Sequence, residues 1–154
     1  MASSPTRSVV LLSIHPKYAA PILEGTKRVE FRKRAFKQQV SFVVVYASSP
    51  VMRVMGFFEI LGIDEASPHQ LWQRYSRVGG IERGDYERYY AEVSHGVAIR
   101  VGTVHVLRQP LPLSVVKPGF RPPQSYAYLS DEAFERIRLN GTGQASVSFN
   151  QTRV

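Results

Sequence analysis

The chain has no cysteine, which removes disulfides, thiolate metal sites and cysteine nucleophiles together and favours a reducing compartment. No stretch approaches the roughly 18 consecutive apolar residues that a bilayer span requires. The opening, Met1 to Arg7, lacks the cationic start and long apolar run of a secretory signal, so the expectation is a cytoplasmic protein away from membranes. Phosphate-cradling glycine loops of the GxxxxGK type, a GxGxxG after the first apolar run and a GxSxG elbow are all missing. ATP hydrolysis, dinucleotide chemistry and common serine hydrolysis therefore have no support. The four histidines, His15, His69, His95 and His105, have no partner at helical ligand spacing, and without thiolates a structural zinc site is not expected. Neither metal nor other cofactor is foreseen.

Acidic residues are the scarcer charge, 12 against 20 Lys and Arg, for a net +8 over 154 residues. Fifteen of the cations are Arg, whose planar guanidinium suits bidentate contacts to phosphates or base edges; a coding bias toward Arg would give the same count. With 44% apolar residues the chain can bury one core and is short for two domains. The expected division is a flexible start at 1–7, one domain at 8–139, and a disordered tail at 140–154, where Gly, Ser, Thr, Asn and Gln dominate.

Ser8 to Ile14 is an unbroken run of β-branched and Leu residues, as in a central strand covered on both faces. Pro16 opens a helix that Gly25 ends, while Pro21 requires that helix to kink or to begin late. Lys27 to Arg34 alternates, with Lys27, Val29 and Phe31 on one face and Arg28, Glu30, Arg32 and Arg34 on the other. Val40 to Ala47 reads as a second buried strand, Ser48-Ser49-Pro50 as a turn, and Val51 to Ile63 as a further strand. Ser67-Pro68-His69-Gln70 is a capping box for a helix to about Arg77. A tyrosine-striped helix follows at 83–93, then a strand from Gly96 to Leu107 closed by Pro110 and Pro112, and a helix from Ser130 with a Leu129/Phe134 staple. This order gives an α+β domain with a mixed, curved sheet and helices over its openings.

Charge concentrates between Lys17 and Lys37, where seven cationic residues accompany only Glu24 and Glu30. A solvated strand face is the ordinary reading. Against it, Lys27 shares its parity with apolar Val29 and Phe31, where an ammonium needs an anionic or polar partner. Glu30 sits where it can orient Arg28 or Arg32 toward a ligand. Tyr18, Tyr46, Trp72, Tyr126 and Tyr128 are the candidate platforms for base stacking; Trp72, on an apolar helical stripe, is more at home in a core, while Tyr126 and Tyr128 suit either role equally.

The blocks Ile14-His15-Pro16-Lys17-Tyr18, Ile22 through Arg34, Tyr46 through Pro50, Gly56 through Glu59 and Pro122 through Tyr126 resemble ASCH domains, in the branch of predicted PUA-like transcriptional regulators, over about residues 9 to 135. The resemblance implies a PUA-like mixed β-pseudobarrel with helices packed at its ends, and a cleft beside the first helix and the Gly-Thr-Lys turn. Relatives of that kind are associated with RNA, DNA or modified-nucleoside recognition, one distant member is an amidohydrolase, and ribonuclease activity is attributed to another. Lys27 matches the amidohydrolase's lysine. Glu30 stands where that enzyme has a threonine, and its glutamate has only Glu59 or Glu82 as counterparts.

Two readings follow. A binding module for single-stranded RNA, DNA or a modified nucleotide would use Lys17, Lys27, Arg28 and Arg32 on phosphate, and Ser48, Gln124 and Tyr126 around the base. A hydrolase on RNA or a modified nucleoside would use Lys27 as base or electrostatic stabiliser and Glu30 as proton carrier, although strict alternation puts these two on opposite faces. A protein partner on the tyrosine helix at 83–93 is a third possibility if its rings are exposed.

Overall fold

Two apolar runs fix the centre of the molecule. In the computed structural model, which describes residues 8–142, Ser8–Ile14 (β1) and Val40–Ala47 (β3) lie side by side in parallel, Val9 opposite Phe42 and Ile14 opposite Ala47. Their residues alternate between two cores. Val10, Leu12, Ile14, Val43 and Val45 face one side, and Val9, Leu11, Val44 and Tyr46 the other. Both faces are covered, which is why neither run shows polar alternation. Tyr46 is thereby buried and is no stacking platform.

Around this pair are built Val29–Arg32 (β2), Arg53–Ala66 (β4), Gly96–Leu111 (β5) and Tyr126–Leu129 (β6). The open, mixed sheet runs β2-β5-β4-β3-β1-β6. Pro110 does not close β5 as expected, because the ladder skips irregularly from Val106 to Leu111 and requires no N–H from the proline between them. β6 lies within what reads in sequence as a proline-stiffened loop. It pairs antiparallel with β1, putting Tyr126 opposite Leu12 and Leu129 opposite Val9.

One core face is covered by Pro16–Glu24 (α1), through Ala19, Ile22 and Leu23. The helix begins at Pro16 and contains Pro21, so the late start is not seen. The other face is covered by Leu113–Val116 (α4) and Asp131–Thr142 (α5), which bury Leu113, Val116, Ala133 and Ile137. Each of the Leu, Val and Ile side chains withdrawn from water contributes about 1.5–3 kcal/mol, and alanine less. Leu129 and Phe134 pack on that core, and Ser130 Oγ caps α5 by accepting the N–H of Ala133. Residues 140–142 continue the helix; 1–7 and 143–154 lie outside the described residues.

Pro68–Tyr75 (α2), with its Ser67/Gln70 capping box formed, and Arg83–Tyr89 (α3) close a third apolar cluster over β2 and β5. Tyr86 and Tyr90 are buried in it. The exposed aromatic surface that a protein partner on 83–93 would need is therefore not formed, because the tyrosine stripe faces inward.

Candidate functional site

The end of α1 sets the geometry of the site. Gly25 caps the helix at φ 88°, and the N–H groups of Thr26 and Lys27 both donate to the Pro21 carbonyl at 3.0 Å. This tight return carries Lys27 under the Gly79-Gly80 turn between α2 and α3. Its ammonium donates to the Gly79 carbonyl, lies 3.7 Å from Glu30 Oε1, and approaches the Tyr18 and Phe31 rings at 5.5 and 5.4 Å. Lys27 is 2% exposed and Glu30 6%.

The two residues expected on opposite faces are thus a buried ion pair. The strand starts at Val29, so Lys27 belongs to the turn and is not bound by the alternation of β2. Glu30 is likewise no member of a solvated face. Its second oxygen accepts from Arg32 at 3.3 Å, and Arg32 reaches on to the carbonyl and Oγ of Ser125 at 3.2 and 3.1 Å. A continuous polar chain runs Gly79, Lys27, Glu30, Arg32, Ser125. Burial lowers the pKa of Lys27 below the ordinary lysine value, and the Glu30 charge opposes that shift.

This chain forms part of the lining of a cleft of about 240 Å³, together with His15, Tyr18, Asp85 and Tyr89. At its rim Lys17 of α1 pairs with Asp85 of α3 at 3.3 Å, and Arg88 holds the same carboxylate. The Asp85 hydrogen bond raises the pKa of Lys17; Lys17, then Arg88, lower that of Asp85.

The cleft gathers Lys27, Glu30 and Arg32, with Lys17 at its edge. Arg28 is elsewhere: half-buried, with its backbone N–H on Val78 and its side chain outside the lining. The trio expected around a base does not line the cleft either. Ser48 ends β3, donating its N–H to Ile14; Gln124 is exposed; and Tyr126 packs edge-on to Phe36 within β6. It is their neighbour Ser125 that touches the site, through Arg32.

His15, Asp85 and Tyr89 escaped the sequence reading. His15 caps α1, its Nδ1 accepting the N–H of Lys17 at 3.0 Å, which leaves the proton of the neutral ring on Nε2. Asp85 and Tyr89 are four apart on a face of α3 about 100° round from Tyr86 and Tyr90. The stripe read from sequence took Tyr86, Tyr89, Tyr90 and Val93 together, so Tyr89 was grouped with the packing residues and its neighbour Asp85 drew no notice.

Burial pushes the Tyr86 phenol up to about 12 and raises that of Tyr90. A phenol that keeps its proton when folded, at a pH where the unfolded chain has lost it, adds stability that is complete below about pH 10 and is lost as pH rises toward 12. Urea unfolding from pH 8 to 12 should show the native state weakening above pH 10, with Tyr86→Phe removing about 1–2 kcal/mol of that fall. A pH profile unchanged by Tyr86→Phe would contradict the assignment. Lys27 acts with opposite sign: the unfolded chain holds that proton up to about pH 10.5, so the cost of burying it is relieved as pH rises to that value.

The fold and cleft define an α+β domain of the ASCH type. The ASCH domain model matches residues 12–105, and the chain belongs to that family. It is 30% identical over 141 residues to an "ASCH domain-containing ribonuclease" of Zymomonas mobilis subsp. mobilis, covering 89% of this chain and 95% of that protein. The crystal structure of ASCH from Zymomonas mobilis superposes with a TM-score of 0.80 at 28% identity, over 86% of this chain and 95% of the other. The N-terminal domain of Staphylothermus marinus McrB shares the fold alone, with a TM-score of 0.57 at 11% identity, over 86% of this chain and 94% of that domain. Among the described residues no helix is long and apolar enough to cross a membrane, and no three His, Asp or Glu residues are grouped to hold a metal ion.

Proposed function

We propose that this chain binds single-stranded RNA in the cleft between α1 and α3 and cleaves it there, as a cytoplasmic ribonuclease. The observation that carries this reading is the Lys27–Glu30–Arg32 array, two cations flanking one carboxylate, in a cleft with Lys17 at its edge. The Zymomonas relative named a ribonuclease supports it.

The chemistry is an internal transfer. The ribose 2′-oxygen attacks the adjacent phosphorus, Glu30 accepts the 2′-hydroxyl proton, and the P–O5′ bond breaks as Lys27 gives a proton to the departing 5′-oxygen. The products are a 2′,3′-cyclic phosphate and a 5′-hydroxyl. Burial suits Lys27 to its part by making its ammonium more acidic than an exposed one. Arg32, already oriented by Glu30 and Ser125, carries the charge that builds on the phosphoryl oxygens.

Binding without cleavage is the second reading. Both Glu30 oxygens already face a cation, so neither can take up the 2′-hydroxyl without loosening a contact the fold already makes.

End-labelled RNA and DNA of one sequence separate the two. Cleavage requires the 2′-hydroxyl, so RNA should yield cyclic-phosphate ends while DNA binds intact. Intact RNA with tight, salt-sensitive binding leaves the second reading. With Lys17, Lys27 and Arg32 each meeting a phosphate, log affinity should fall against log salt with a slope of about −2, at roughly 0.7 per phosphate on a single strand. Salt-insensitive binding, or none, would remove both.

A further inference from the structure

On the other side of α3 from the cleft is a second cavity, of about 420 Å³, with Trp72, Tyr86 and Tyr90 in its wall. The phenols are engaged elsewhere: the Tyr86 hydroxyl donates to the Pro68 carbonyl at 2.6 Å and the Tyr90 hydroxyl to that of Arg32 at 2.7 Å. Their rings are what remains for the cavity. Trp72, half-buried, is tilted against Tyr86 with ring centres 4.8 Å apart. Among the described residues its indole N–H and the imidazole of His69, which also lines the cavity, have no hydrogen-bond partner. Arg83 stands at the same cavity, 70% exposed and paired only with exposed Glu87 at 3.5 Å. Flat aromatic walls with unpaired donors and a loosely held guanidinium match a planar heterocycle that has ring-nitrogen and carbonyl acceptors.

The cleft leaves room for such a place. At about 240 Å³ it is smaller than the roughly 300–1,000 Å³ typical of organic-ligand pockets, and Lys27, Glu30 and Arg32 suit it to phosphate and ribose beside the Tyr18, Phe31 and Tyr89 rings. Pairs of rings in mutual contact lie between the two cavities. Phe31 and Tyr89 on the cleft side lie 4.9 Å from Tyr86 and Tyr90, respectively, on the other. We infer that the pocket between α2 and α3 receives a nucleobase of the RNA strand whose backbone occupies the cleft. The inference rests on the RNA reading above and adds to it the site of base contact.

Trp72 is the sole tryptophan, so its emission reports directly on this pocket. Full-length protein is titrated with a ten-nucleotide single-stranded RNA and with an abasic strand of equal length, following Trp72 emission and the anisotropy of a fluorescein label on the strand. RNA should quench Trp72, while the abasic strand binds about tenfold more weakly and leaves the emission unchanged, since stacking on an aromatic ring is worth about that factor per base. Arg83→Ala and Trp72→Leu should weaken RNA binding severalfold without affecting the abasic strand. Where Trp72→Leu does not fold, the exposed Arg83→Ala decides. RNA binding that depends on Lys27 but leaves Trp72 emission and Arg83→Ala affinity unchanged would overturn the pocket and spare the cleft. Absence of binding to either strand would overturn both.

Discussion

Lys27→Met should lower stability by about 2 kcal/mol and RNA cleavage by a hundredfold or more. Methionine keeps most of the volume, so the loss is polar. The Gly79 carbonyl loses its donor, and Glu30 keeps only Arg32. Breaking a buried pair from one side costs about 3–5 kcal/mol. Arg32 continues to balance Glu30, and the desolvation of the ammonium is no longer incurred, which together bring the expected figure to about 2. The catalytic loss follows from removing one preorganised charge, typically worth a factor of about 10²–10³. Replacing both partners, Lys27→Met with Glu30→Gln, should recover part of the stability and none of the activity, because a buried pair exchanged as a unit can be nearly neutral. Urea unfolding and a cleavage time course on each variant measure the two effects. A Lys27→Met protein with wild-type cleavage would remove Lys27 from the chemistry.

Gly80→Ala should cost about 2–3 kcal/mol or, where the turn yields instead, displace Lys27 and impair RNA cleavage. Gly80 has φ 62°, a left-handed conformation that costs a residue with a Cβ about 1–2 kcal/mol. The added methyl would also stand 2.8 Å from Cβ and Cγ of Lys27. At neighbouring Gly79 it would meet the Phe31 ring at the same distance. The glycine pair therefore permits the turn to lie directly on the buried lysine. Thermal unfolding and RNA cleavage of Gly80→Ala test this; a variant unchanged in both would show that the turn has slack over Lys27.

Much of the frame could be read from local pattern. β1 and β3 announced themselves because two-sided burial removes alternation, and the Ser67/Gln70 box and Gly25 cap are chemical signals confined to a few residues. The site was less legible. Lys27 and Glu30 looked divergent because strand alternation was extended back to position 27, whereas β2 begins at Val29 and Lys27 lies in the preceding turn, where alternation does not apply. Gly79-Gly80 read as a helix stop, and nothing within ten residues of it says that its carbonyl will receive an ammonium from position 27. Ser48, Gln124 and Tyr126 were selected for residue type, yet the contact at that end of the cleft is made by Ser125, whose backbone position is set by β6 pairing with β1. β6 itself was hidden, since four residues beside two prolines offer too short an alternation to see.

That last pairing also has a cost in time. β1 precedes every other described strand in the chain, yet one of its edges is covered only when Tyr126–Leu129 arrives, more than a hundred residues later. Until then Val9 to Leu12 present an open, apolar edge of the kind that recruits other strands. Contacts this distant in sequence also slow folding, because the loop must close before any reward is gained. A chain reordered so that the segment from Tyr126 directly precedes Ser8 would turn this late closure into a short-range one, with α5 linking the two strands, without altering a residue of the cleft.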